Sequence, residues 1–226
     1  IILIFQVCIG CHFMQMMFLI KLARHLTIDW AEEDLLNNIK RWNSMHRISV
    51  IEDFIQEEDA LKLISEMNNP SETNPYPEYY KKRYGGTALP YNDSVMNILI
   101  KYGHKTNNIH KSLNGYLNNI YVFKAFGSHW TAGTKGDLHI DAQGPEPFIE
   151  WSTIMYLNDP SEYQGGEIYF PNQGFTYKPK KFSAVFFPSA GTEYIHGITE
   201  IESGHRYTAL YMHTSLKQYS DPDFLK

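Results

Sequence analysis

The chain has 226 residues, 43% hydrophobic and 20% charged, which is enough to bury a core without staples and excludes both a disordered tail and a polytopic membrane protein. Its 20 Lys+Arg against 25 Asp+Glu leave a formal charge of -5, which disfavours a protein that tracks nucleic-acid phosphates. The two cysteines, Cys8 and Cys11, allow at most one short bridge and give no sign of an oxidising compartment.

Residues Ile1 to Ile20 carry no charge, and all but Gln6, Gly10, His12 and Gln15 are apolar or Cys. That length suits a membrane-spanning helix. Three readings compete: an anchor or signal segment, sequence upstream of a start at Met14, Met16 or Met17, or a helix buried against the main domain. As an anchor, its flanking Lys21 and Arg24 favour a cytoplasmic main domain. Cys8 and Cys11 have zinc-knuckle spacing without a second pair, so two small apolar residues are the preferred reading. Asp29, with Glu32 three residues on, reads as the cap of an amphipathic helix with Trp30, Leu35, Leu36, Ile39 and Trp42 as its apolar set. The division expected is therefore an apolar segment over 1–25, a helical lead-in over 26–46 and a catalytic domain over 47–226.

Arg47–Phe54 reads as a short strand. Glu57–Met67 reads as a helix with Ala60, Leu61, Leu63 and Ile64 inward. Asn68–Pro90, rich in Pro and Gly, reads as a long loop of the kind that forms lids or binding segments. A further helix is expected within Tyr91–Asn108, around Val95, Ile98 and Leu99. From Tyr116 the pattern turns to short β-rich runs between Gly, Pro and Asn breaks: Leu117–Phe126, Leu138–Asp141, Phe148–Leu157, Glu167–Phe170, Phe175–Lys178, Phe182–Phe187, Glu193–His196 and Arg206–His213. About eight strands at this spacing predict an antiparallel sandwich or jelly roll. The fold class expected is mainly β (α+β), with supporting N-terminal helices.

His139 and Asp141 stand at i and i+2 of a predicted strand, so both reach one face. His196 lies on a late strand. Two imidazoles and one carboxylate on one side of a metal leave the other positions open, the ligand set of non-haem Fe(II) oxygenases. A His-x-Asp pair by itself is weak, since surface His beside Asp is common. Arg206 opens the last strand and Thr208 shares its face. A guanidinium fork plus a hydroxyl suits the clamping of a carboxylate. Alone, Arg206 would read as a surface residue or one half of an ion pair; beside the triad it stands where the distal carboxylate of 2-oxoglutarate would be held.

These residues come with a series of motifs: Ser49-Val50-Ile51-Glu52-Asp53-Phe54, Met155-Tyr156-Leu157-Asn158, Gly165-Gly166-Glu167-Ile168-Tyr169-Phe170-Pro171, Lys178-Pro179-Lys180-Lys181 and Ala184-Val185-Phe186-Phe187-Pro188. In order and spacing, Ile48–Thr214 resembles the prolyl 4-hydroxylase-like Fe(II)/2-oxoglutarate dioxygenases. The resemblance implies a double-stranded β-helix, His139, Asp141 and His196 as metal ligands, Arg206 as the oxoglutarate clamp, and Tyr156 as a hydroxyl supporting it. Tyr156 also reads as a buried core tyrosine. Gly165 and Gly166 read as a tight turn. The implied cofactors are Fe(II), 2-oxoglutarate, O2 and L-ascorbate.

Two positions depart from the family pattern. Collagen-type relatives use Lys where Arg206 stands. A Tyr that often precedes the His-x-Asp strand has Phe126 as its nearest match, ahead of a long loop over Gly127–Asp137 in which His129 and Trp130 are candidate substrate contacts. The expected reaction is hydroxylation of a C–H bond, with Asp141 arguing against the halogenase variant of this chemistry. The expected substrate is a prolyl or other residue of a peptide or protein. The alternatives are a free amino acid or other small molecule, and a non-catalytic jelly-roll binding module. No nucleic-acid partner is expected, and a membrane only through residues 1–20.

Overall fold

The computed structural model describes residues 47–69, 89–90, 92–114 and 119–225. The apolar segment, the lead-in helix and most of the Asn68–Pro90 loop lie outside them. Among the described residues, no helix is long and apolar enough to cross a membrane.

Among the described residues, ten strands form two antiparallel sheets. The larger has the order β1 (Ser49–Ile51), β8 (Ala184–Pro188), β4 (Trp151–Tyr156), β10 (Ile201–Thr214), β2 (Tyr121–Thr131), with β5 (Tyr163–Gly165) paired to β10. The smaller has the order β3 (Gly136–His139), β9 (His196–Ile198), β6 (Ile168–Phe170), β7 (Phe175–Tyr177). Consecutive strands such as β2 and β3 fall in different sheets. This is the jelly-roll core expected, with two helices in support among the described residues.

The core has two layers because the large sheet is apolar on both faces. β4 is buried at every residue, and so is β8. Inward, Ile154, Tyr156, Val185 and Phe187 meet Ile168, Phe170 and Ile198 of the small sheet. Outward, Met155, Ala184, Phe186, Tyr207, Ala209 and Tyr211 meet the helices α1 (Glu57–Asn68) and α2 (Asp93–Asn114). Fully burying side chains of this size is worth about 1.5–3 kcal/mol each, so the helices are required to cover the sheet's outer face. In α1, Ala60 and Leu63 are buried as the periodicity predicts, but Leu61 is 54% exposed. Its position falls on the solvent side of the stripe set by Ala60, Leu63 and Met67.

Several expected boundaries shift. β2 begins at Tyr121 and runs through Thr131, so much of the loop expected over Gly127–Asp137 is strand. It is carried there by pairing with the longer β10, from Tyr121 opposite Thr214 to Thr131 opposite His205. Thr192–Tyr194 is a 3-10 turn, and the strand expected over Glu193–His196 starts at His196 instead. β5 was not anticipated. Its three residues lack alternation, and it exists through pairing with Ile201–Gly204. The Gly165-Gly166 turn is as expected: both residues have positive φ, and a Cβ on Gly165 would sit 1.8 Å from the Glu200 carbonyl oxygen.

Candidate metal centre

Three side chains of this scaffold meet between the two sheets. His139 ends β3 and His196 begins β9, and the two are cross-strand partners. Their rings lie 4.4 Å apart, centroid to centroid. Asp141 follows two residues after His139 and turns its carboxylate between them. Its Oδ1 is 3.4 Å from His139 Nε2 and 3.9 Å from His196 Nε2. Donors bound to one ion at about 2.1 Å stand roughly 3–3.5 Å from each other, so the three fit a single metal with a small adjustment. Their ligating atoms all lie within 4.8 Å of one another, and no other group of three His, Cys, Asp or Glu among the described residues does so.

The outer contacts fix which atoms face the centre. His139 Nδ1 pairs with the Asp137 carbonyl at 2.7 Å, and His196 Nδ1 pairs with the Tyr194 carbonyl at 3.1 Å. A ring that donates from Nδ1 to a carbonyl leaves Nε2 as a lone pair, the form a metal needs. Asp141 Oδ2 accepts from Ser152 Oγ at 2.6 Å, and Ser152 accepts from Ser189 Oγ at 2.5 Å. Ser152 and Ser189 were not predicted from sequence. Single serines on buried strands carry no signal until β4 and the end of β8 bring them behind Asp141.

Electrostatics favour an ionised carboxylate. Burial raises the Asp141 carboxyl, but His139, His196 and Ser152 together outweigh it and hold it below the usual carboxylate range. The hydrogen bond with Asp141 raises His139 above its ordinary value. Burial against Phe170 and Phe187 pushes His196 down.

From this centre a pocket runs between the sheets to Arg206, lined on the way by Ser128, Trp130, Ile154, Ile198 and Thr208. Arg206 is 3% exposed. No described ion pair includes it, and its Nε has no hydrogen-bond partner among the described residues. The Tyr156 hydroxyl beside it is also buried and unpartnered. Burial pushes that hydroxyl up by more than the Arg206 charge pulls it down, so it stays a protonated donor. A buried cation that meets only the rings of Trp130 and Tyr156 and no counter-ion is costly, and so is a buried hydroxyl without a hydrogen-bond partner. Together they have the chemistry to suit one carboxylate, and the glycine at 166 leaves room beside them: a Cβ there would press to 2.9 Å from Arg206 Cδ. Thr208 lies across from Tyr156 in the β4–β10 register and shares the inward face with Arg206. The three donors at one end and the buried cation at the other fit a divalent metal and a dicarboxylic ligand.

Of the predicted site residues, His139, Asp141, His196, Arg206 and Thr208 line this one pocket, and Tyr156 packs against its Arg206 end. Phe126 and His129 do not line it. His129 points to the opposite face of β2, where it stacks on Tyr207 and meets His205 Nδ1 at 2.9 Å. Trp130 does line it, with Arg206 Cζ 5.1 Å from its ring centroid.

No family model matches the chain, and no curated protein matches it. Solved structures do. The 2-oxoglutarate complex of a viral collagen prolyl hydroxylase from Paramecium Bursaria Chlorella virus-1 is 19% identical, at a TM-score of 0.56 over 76% of this chain and 97% of that one. A truncated form of the same hydroxylase gives 18% and 0.57 over 75% and 91%. A prolyl-4-hydroxylase from Pseudomonas putida gives 15% and 0.53 over 75% and 88%. The chain thus has the jelly-roll fold of prolyl hydroxylase-like 2-oxoglutarate/Fe(II) oxygenase structures, with a His-Asp-His triad set inside it.

Proposed function

We propose that the chain is an Fe(II)- and 2-oxoglutarate-dependent dioxygenase that hydroxylates a C–H bond, with a prolyl or other residue of a peptide as substrate. One observation carries this reading: a possible metal triad and a buried arginine with no described counter-ion stand at opposite ends of one pocket. Bound Fe(II) and 2-oxoglutarate would supply the oxidising power, O2 being consumed as oxoglutarate goes to succinate and carbon dioxide and the C–H carbon gains a hydroxyl group.

The chain's own residues bind, orient and exclude. His139, Asp141 and His196 hold the metal from one side and leave the other side for ligands. Ser152 and Ser189 fix the Asp141 carboxylate so that Oδ1 faces the metal. Arg206, with Tyr156 and Thr208, neutralises the far carboxylate of the oxoglutarate and sets its distance from the triad. Phe170, Phe187 and Ile198 keep water from the walls. His139, 37% exposed at its side chain, marks the end open to substrate.

The peptide reading is supported by the likeness to prolyl hydroxylase structures. A free amino acid is the second reading, supported by the two departures at Arg206 and Phe126. The test is iron-dependent succinate release, with ascorbate as reductant, followed by mass spectrometry of Pro-rich peptides and of free amino acids after incubation. A mass gain of one oxygen on a peptide supports the first reading, and on an amino acid the second. Absence of iron-dependent succinate with every substrate would leave a jelly-roll binding module.

A further inference from the structure

Trp130, a candidate substrate contact by sequence, lies at the Arg206 end of this pocket. It is the cross-strand partner of Arg206 in the β2–β10 pairing, so both side chains rise from the same face. Arg206 Cζ lies 5.1 Å from the indole centroid and 5.2 Å from the Tyr156 centroid. The far edge of the indole reaches the small sheet. A Cβ on Gly136 would come within 3.2 Å of Trp130 Cη2 and 3.1 Å of Ile198 Cγ1. The ring therefore spans from the arginine on the large sheet to β3 and β9 on the small one, in the space that Gly136 leaves.

We propose that Trp130 is a positioning residue for the cosubstrate: its indole holds the Arg206 guanidinium by its π-face and walls the clamped carboxylate from water. This rests on reading Arg206 as the oxoglutarate clamp. A hydrogen-bonding residue at position 130 would draw on the N–H groups that the carboxylate needs. An indole face attracts the cation without using any of them, most strongly where both are desolvated. The ring also fixes the guanidinium plane, so its donors are aimed before the ligand arrives and less ordering remains to be done on binding.

The test uses the full chain loaded with Mn(II), which needs no oxygen-free handling, and titrates 2-oxoglutarate by calorimetry and by tryptophan fluorescence. The wild type should bind saturably with a change in emission. W130A should weaken oxoglutarate binding about tenfold or more with Mn(II) affinity unchanged. W130F, which keeps a π-face, should stay within about threefold of the wild type and lose the emission change. G136A, which crowds the indole from the opposite sheet, should weaken oxoglutarate in the same direction. If W130A does not fold, W130F and G136A carry the test. A merely structural role would lower the melting temperature and metal affinity and leave oxoglutarate affinity per folded molecule alone. Wild-type oxoglutarate affinity in W130A, or an emission change that survives in W130F, overturns the proposal. A wild type that binds no oxoglutarate, or R206A that binds it normally, overturns the clamp reading, and this proposal with it.

Discussion

Arg206 is buried and belongs to no described ion pair. Burying a cation without a counter-ion is tolerable only if an anion arrives. R206A should therefore raise the Michaelis constant for oxoglutarate by roughly two orders of magnitude or more, with iron affinity nearly intact. R206K should retain part of the activity, since a compact ammonium still neutralises the carboxylate but loses the fork. Steady-state kinetics against oxoglutarate, with metal content measured alongside, separate these outcomes. At the other end of the pocket, H139A and H196A should abolish metal binding. S152A removes only the hydroxyl that orients Asp141 Oδ2. It should weaken metal binding about 10–100-fold, read by competition with a chelating dye. Metal affinity equal to the wild type in S152A would mean that Asp141 is held by its backbone alone.

At the scale of elements, the helix–sheet seam carries its own chemistry. His110 of α2 and His213 of β10 lie 4.5 Å apart by ring centroid, fully buried on the outer face of the large sheet. Thr153 Oγ1 lies 2.8 Å from His110 Nε2, and Asn107 Oδ1 lies 3.0 Å from His213 Nδ1. Burial drives His110 down to about 3 and His213 well below its ordinary value. Both are neutral in the folded chain and near 6.5 when unfolded, so the unfolded state takes up protons first as pH falls. Their contribution is fully present above about pH 6.5 and is lost progressively as pH falls, for His110 down to about pH 3. H110Q should flatten the dependence of unfolding free energy on pH across that window, as urea denaturation would show. An unchanged slope would place the acid sensitivity elsewhere. The Gly165-Gly166 turn is the second element-scale test. G165A forces a side chain onto the Glu200 carbonyl at positive φ and should cost about 3 kcal/mol or more, seen as a lowered melting temperature with β5 detached from β10.

For the whole molecule, every residue of the candidate site comes from β2 onward, while α1 and α2 cover the sheet from behind. A chain beginning at Lys21 should accordingly fold and bind metal as the longer one does, measured by circular dichroism and metal titration. Aggregation of the shorter chain alone would make residues 1–20 part of the core.

Local patterns with fixed geometry could be read from the amino-acid order alone. The two-residue spacing of His139 and Asp141 made them legible together, although the strand expected over Leu138–Asp141 ends at His139 and Asp141 reaches the same side from the bend just beyond it. A helical stripe at Ala60 and Leu63 had to be covered, and paired glycines at 165 and 166 had to turn. The last strand carried Arg206 and Thr208 on one side, and that too followed from its period. The tertiary structure alone decided what lies across a gap. His196 becomes the partner of His139 because β9 pairs with β3, fifty-odd residues apart in sequence. Ser152 and Ser189 reach Asp141 only once β4 and β8 pack side by side. Trp130, and not Phe126, meets the arginine because the β2–β10 register sets Arg206 opposite position 130 and Leu210 opposite 126. Sequence periodicity fixes which way a side chain faces along its own strand. Register and sheet packing, set by the sum of many distant contacts, fix what it faces.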